Sequence, residues 1–294
     1  MTQLRDPHAE VRQLATGFLF TEGPVWDRRV GELVFSDIPG NVRLRWNPNS
    51  GIRDDLRPSD KTNGHTYDGA GNLLACHHAT SQVVREAPDG TKAAIATHFE
   101  GREFNSPNDI VVRSDGSIYF TDPYYGRRDA HYGVLREQEL DFQGVYRIAS
   151  DGSIHLVVPP DLFETPNGLC FSVGEDHLYV NDTVNGLIRR FDVRADGSLA
   201  NGQVFAGGIA SDDVVGRPDG MKCDELDNIW VTGPGGVWVF DPSGGRIDTI
   251  PVPEKVGNLT FGGLDWRTLF ITASTSLYAI DLDVGPRPEP YMGY

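Results

Sequence analysis

Short segments in which apolar and polar positions alternate with period two run the length of this 294-residue chain, separated by turns rich in Gly and Pro. Six of them share one pattern: Leu33-Val-Phe-Ser-Asp37, Leu73-Leu-Ala-Cys-His77, Ile118-Tyr-Phe-Thr-Asp122, Leu178-Tyr-Val-Asn-Asp182, Ile229-Trp-Val-Thr-Gly233 and Leu269-Phe-Ile-Thr-Ala273. Ahead of the last residue of each, by 14 or 15 positions, stands a second recurrent segment that opens at Glu22, Asn63, Asn108, Asn167, Asp219 or Asn258. A third strand pattern follows each copy, over residues 42–46, 82–86, 144–148, 187–191, 236–240 and 276–280. Most of these run into a Gly-bearing turn such as Asp89-Gly90, Asp151-Gly152 or Asp196-Gly197, and a fourth strand follows in five units. The sixth unit lacks an obvious fourth strand, and residues 11–15, ahead of the first unit, can supply it.

Four-stranded antiparallel units repeating at intervals of roughly 40 to 60 residues are what a β-propeller requires, and a strand from the opposite terminus closes the ring and protects its edges. The expected fold is therefore all-β, a six-bladed β-propeller in one domain over residues 1–294, with blades beginning near 22, 63, 108, 167, 219 and 258. A Pro-rich tail, residues 283–294, has no place in that repeat. No sustained 3.6-residue periodicity supports a helical solenoid.

Composition sharpens this picture. Gly 34 and Pro 19 are the turns of the repeat. The formal net charge of −16 argues against nucleic acid, whose phosphates call for clustered Lys and Arg. Cys76, Cys170 and Cys223 are too scattered for a disulfide framework or a thiolate metal site. The charged start of the chain does not read as a secretory signal, and no apolar run reaches the length of a membrane span. A cytoplasmic protein, monomeric or homodimeric, without nucleic-acid or membrane partners, is the expectation.

In an antiparallel pair the start of one strand lies beside the end of the next, so both recurrent sets face the same end of the central channel. The first set supplies one carboxylate or amide per blade. Such a ring is costly to bury unless a cation or water satisfies it, and hard oxygen donors suit Ca²⁺, Mg²⁺ or Mn²⁺. Asn and Asp also recur in Asx-turns, but a turn would not choose Glu22. In the second set Asp122, beside Asn108, is a candidate acid/base group, though Asp-Pro also opens turns. His65, on the strand of Asn63, and His77 are candidates for binding substrate hydroxyls. The long insertion 123–143, with Tyr124, Tyr125, Arg127, Arg128, His131 and Tyr132, emerges on the same face as a candidate cover or as a plain surface excursion, and 207–217 is a lesser rim candidate.

These residues resemble the gluconolactonase and senescence-marker-protein (regucalcin) family of six-bladed propellers, specifically its bacterial gluconolactonase-like branch. The likeness rests on Glu22-Gly-Pro-Val-Trp-Asp27, Ser106-Pro-Asn-Asp109, Thr165-Pro-Asn-Gly-Leu169, Asn181-Asp182 and Arg217-Pro-Asp-Gly-Met221, taken in order over residues 14–282. It implies a divalent metal held by Glu22, Asn108, Asn167 and Asp219, with Ca²⁺ foremost and Mg²⁺, Mn²⁺, Zn²⁺ or Fe²⁺ as alternatives. It also implies hydrolysis of a sugar lactone such as gluconolactone to the aldonic acid, with Asp219 as ligand and proton acceptor. Animal members carry an Arg where this chain has Ser106, while Phe120-Thr-Asp-Pro123 is closer to bacterial members, which leaves the sugar open. The expected assignment is Asp219 and Asp122 as catalytic residues, with Asn63, His65, His77, Ser106 and Tyr124 holding substrate. No Gly-x-Ser-x-Gly elbow supports a serine route. The alternatives are a metal-dependent phosphotriesterase on the same ring and a non-catalytic propeller that binds a protein partner.

Overall fold

The computed structural model describes residues 3–293. Six four-stranded antiparallel sheets succeed one another around a central channel, each built from consecutive strands except the last. The first blade, for example, runs Thr21–Asp27, Glu32–Asp37, Val42–Asn47 and Gly51–Leu56. In the sixth, Val256–Gly262, Thr268–Ala273 and Ser276–Asp281 are completed by the N-terminal strand Arg12–Thr16. Arg12 pairs with Ala279 and Thr16 with Ser276, so the ring is closed by a strand from the other end of the chain, as the pattern of residues 11–15 predicts. The Asp-Gly turns that join third to fourth strands carry their glycines at φ of +86° (Gly90), +84° (Gly152) and +78° (Gly197), where an L side chain is strained.

The second strands are the most apolar and lie fully buried between blades: Leu33, Val34 and Phe35, or Ile229, Trp230 and Val231, are buried on both faces. Neighbouring sheets therefore share a core. Phe104, Phe120 and Tyr146 of the third blade pack against Leu74 and Cys76 of the second, and Trp230 packs edge-on against Phe261 across the fifth and sixth. All three cysteines are free and buried in these seams.

The Pro-rich tail has a clear position. Pro286 bridges Asp224, the Arg287 N–H donates to the Cys223 carbonyl, and Tyr291 is buried against Tyr67 and Trp266. Tyr67 and Cys223 end the inner strands of the second and fifth blades, so the tail crosses the channel end opposite the ring of Glu22 and Asp219. Among the described residues no helix is long and apolar enough to cross a membrane.

Candidate functional site

Each residue of the first recurrent set sits where its inner strand is irregular. The pairing register shifts between Glu22 and Val25, Thr62 and His65, Pro166 and Leu169, and Val256 and Asn258. In the third and fifth blades regular pairing begins only at Ile110 and Met221, past Asn108 and Asp219. A bulge re-aims a side chain, and here it turns the polar residue out of the blade and toward the axis. Glycine then lets the blades close up. A Cβ on Gly23 would fall 1.9 Å from the Asn63 carbonyl oxygen, and one on Gly168 would fall 2.0 Å from that of Asp219. The Gly64 N–H donates to the Asn108 carbonyl at 2.9 Å and the Gly168 N–H to that of Asp219 at 3.0 Å, which stitches adjacent site residues together.

The result is a small cup with a cavity volume of about 110 Å³ at one mouth of the channel. Glu22, Asn63, Asn108, Asn167 and Asp219 line it together. Asn258 lies behind, donating to Glu22 Oε2 at 3.1 Å while the Gly23 N–H donates to the same oxygen at 2.8 Å. Glu22 Oε1 is left without either donor, and only a glycine at 257 leaves it room, since a Cβ there would stand 2.7 Å away. Asn167 donates through Nδ2 to Thr183 Oγ1 at 3.0 Å, and Thr183 in turn donates to the Pro218 carbonyl. That fixes the amide with its oxygen free.

Glu22 and Asp219 are both held above the ordinary carboxylate range, Glu22 by burial and repulsion from Asp219, Asp219 by burial, with Lys255 opposing and Asp109 reinforcing the shift. Two carboxylates so placed call for positive charge between them. Among the described residues no three His, Cys, Asp or Glu side chains cluster as ligands, so a cation here would be held by two carboxylates and by amide oxygens. That donor set fits a hard divalent ion.

The second set does other work. Asp122 accepts from the backbone N–H groups of Asn105 at 2.9 Å and Ser106 at 2.8 Å, and it lies outside the cup. Burial pushes its carboxyl up to about 7, against the pull of those N–H groups. Asp37 accepts from Leu19 and Phe20, and Asp182 from Glu164 and Thr165. A carboxylate whose two oxygens are both spent on main-chain donors acts as a clamp, and the structure does not bring Asp122 into the cup where the sequence reading expects an acid/base group.

Four other candidates also fall outside the lining. His65 is buried and its Nδ1–H donates to the Gly23 carbonyl at 2.8 Å; burial drives its pKa down to about 3, so it is a neutral tie between blades. His77 Nδ1 faces Asp60 at 3.5 Å. Ser106 donates to the Pro123 carbonyl at 2.5 Å and accepts from the Gly126 N–H at 2.9 Å, tying down the insertion. The Tyr124 hydroxyl donates to the Arg136 carbonyl at 3.0 Å. Each sits one strand face or one residue away from the cup. Their neighbours His78 and Tyr125 line it instead, with Tyr132, Phe20, Ile38, Thr183, Arg217 and Lys255.

His78 shows how the insertion enters the site. Its Nδ1 lies 3.0 Å from the Tyr132 carbonyl, which can only accept, so Nδ1 carries the proton and Nε2 accepts from Asn63 Nδ2 at 3.4 Å. Burial lowers the His78 pKa to about 4, keeping the ring neutral. Asn63 Oδ1 is left as a buried acceptor that has no protein partner. The insertion is firmly braced: buried Arg127 donates to the carbonyls of Asn105, Phe104 and Glu137 and pairs with Glu103, and the Val134 N–H donates to the Gly126 carbonyl. It forms a wall of the cup, carrying the short helix Tyr125–Arg128.

A six-bladed propeller with a buried oxygen-donor cup at one mouth of its channel is the class that fold and site define. Residues 20–275 match the SMP-30/Gluconolactonase/LRE-like region family, and the chain belongs to it. It is similar to a gluconolactonase of Zymomonas mobilis subsp. mobilis, 28% identical over 297 residues that cover 94% of this chain and 82% of the relative. A 6-deoxy-6-sulfogluconolactonase of Pseudomonas putida is 35% identical over 259 residues, covering 86% of this chain and 82% of the relative. Among solved structures, a gluconolactonase from Xanthomonas campestris is 34% identical, with a TM-score of 0.86 over 95% of this chain and 91% of that one.

Proposed function

We propose that the protein is a hydrolase that opens a sugar lactone to its aldonic acid, working with a divalent cation, Ca²⁺ foremost, held by Glu22, Asn108, Asn167 and Asp219. The observation that carries this is the pair of buried Glu22 and half-buried Asp219, with two free amide oxygens beside it, in one cup of a propeller of this family. The reaction adds water across a ring ester. A C–O bond forms between the water oxygen and the carbonyl carbon, the ring C–O bond breaks, the released hydroxyl takes a proton, and the acid ionises to the aldonate. When bound, the cation supplies polarisation of the ester carbonyl, and its +2 balances the two carboxylates.

Asp219 takes the proton of the attacking water, since it lines the cup and keeps one face open to it. Asn63, its amide nitrogen held by His78 and its Oδ1 without a protein partner, accepts from a sugar hydroxyl. Tyr125, Tyr132 and Phe20 wall off the reacting groups, with Tyr132 and Phe20 in edge contact at 5.3 Å between ring centres. The test is the initial rate on glucono-1,5-lactone after chelation and re-addition of Ca²⁺, Mn²⁺ or Zn²⁺. Loss of turnover on chelation and its recovery with one of these ions is expected; no turnover with any of them overturns the reading.

A further inference from the structure

The cup has a charge asymmetry that opening a neutral lactone does not require. Two cations line it, Arg217 at the lip and Lys255 half-buried beneath, and among the described residues neither is ion-paired to a carboxylate. Lys255 lies with its Nζ 5.6 Å from the ring centre of Phe20, and its charge reaches Asp219 without forming an ion pair with it. Both are built in from the backbone: the Arg217 carbonyl accepts from Thr232 Oγ1 at 2.8 Å, and the Lys255 carbonyl from Ser274 Oγ at 3.1 Å. They precede Asp219 and Asn258, so they come from adjacent blades and occupy one side of the cup. The insertion, with Tyr125 and Tyr132, supplies the aromatic wall.

Among the described residues Glu22 and Asp219 are the only carboxylates in the lining. Once a divalent ion balances them, exposed Arg217 and half-buried Lys255 leave a surplus of about two positive charges on one side of the cup, free to attract an anion. The geometry points to a substrate lactone that carries a second, anionic group, a phosphate or a carboxylate, on the carbon chain away from the ring ester, held by Lys255 and Arg217. This rests on the lactonase reading and narrows its substrate class. An Arg and a Lys at one edge suit such a group, the guanidinium as a planar fork and the ammonium as a point charge.

Initial rates of the full chain, loaded with the cation that supports turnover, on glucono-1,5-lactone, 6-phosphoglucono-1,5-lactone and a glucarolactone test the inference. One or both anionic lactones should exceed the neutral one in kcat/KM by about 10-fold or more, chiefly through KM, and the one that does identifies the anion. The advantage should shrink as NaCl is raised from about 0.05 to about 0.5 M. Lys255→Met and Arg217→Gln should each lower kcat/KM for the anionic lactone by about 10-fold more than for the neutral one. Turnover of the neutral lactone with no anionic preference in the wild-type protein overturns the inference while leaving the lactonase reading intact. Equal losses on both substrates in the variants also overturn it. Absence of turnover on all three lactones removes the lactonase reading and this inference with it.

Discussion

Two sets of acidic and amide residues recur around the same mouth of the channel, and they behave as opposites. Glu22, Asn63, Asn108, Asn167 and Asp219 turn into the cup with oxygens that the protein leaves unpaired or underpaired. Asp37, Asp122 and Asp182 spend both oxygens on consecutive backbone N–H groups. The spacing ties the two together. The clamped N–H groups belong to residues two and three ahead of Glu22, Asn108 and Asn167, so the second set holds the segment from which the first set is aimed. One ring faces the cup, and the other keeps the first in place. A carboxylate near a site thus does chemistry or structure according to whether the main chain has already consumed its acceptors.

The largest effect that can separate the rings is on catalysis. Glu22→Gln should lower kcat/KM by on the order of 100-fold or more, with little loss of thermal stability, because it removes a charge the fold itself does not need. Comparable loss of melting temperature and activity would place Glu22 among the clamps. Asp122→Ala should do the reverse in emphasis. Two buried N–H groups lose their acceptor at about 1–3 kcal/mol each, so the melting temperature should fall by several degrees, and activity should fall with it as the insertion shifts.

A subtler probe is Gly257→Ala. A Cβ at 257 would press on Glu22 Oε1, so activity should fall by about 10-fold while the Asp122 clamp and its blade are untouched. The smallest effect is a pH dependence. Glu22 and Asp219 have folded-state pKa values raised above those of the unfolded chain. In cation-free protein their contribution is therefore favourable below the ordinary carboxylate range and lost as pH rises through the folded values. The melting temperature of cation-free Glu22→Gln relative to wild type should accordingly grow from acid to about pH 8, and adding cation should reverse the order. Differential scanning fluorimetry with chelator and with Ca²⁺ reads both.

The repeat was legible because every blade spells it. The apolar second strands, the Asp-Gly turns and the 14- or 15-residue offset required only counting, and the six sheets and the closing N-terminal strand follow that reading. The inner ring was legible for the same reason, and five of its six members line one cup. The rest of the cup comes from residues that occur once. His78 rather than His77 and Tyr125 rather than Tyr124 enter it because the strand end and the insertion place alternate side chains on different faces, and a one-residue difference is invisible without coordinates. Lys255 carries no motif and Arg217 only opens the Arg217-Pro-Asp-Gly-Met221 segment, and both are recognisable as lining the cup only from the coordinates. Gly257 is a signal only once Glu22 is seen beside it. For Asp122 the sequence shows a carboxylate but not the N–H groups that occupy it.

The central claim is that the first ring holds a divalent cation and the second does not. Isothermal titration of Ca²⁺ and Mn²⁺ into chelator-treated wild type, Glu22→Gln and Asp122→Asn tests it without reference to any substrate. The account predicts one ion per chain in wild type and in Asp122→Asn, with affinity lost or sharply reduced in Glu22→Gln. Equal binding by Glu22→Gln and wild type, or loss of the ion in folded Asp122→Asn alone, would contradict it.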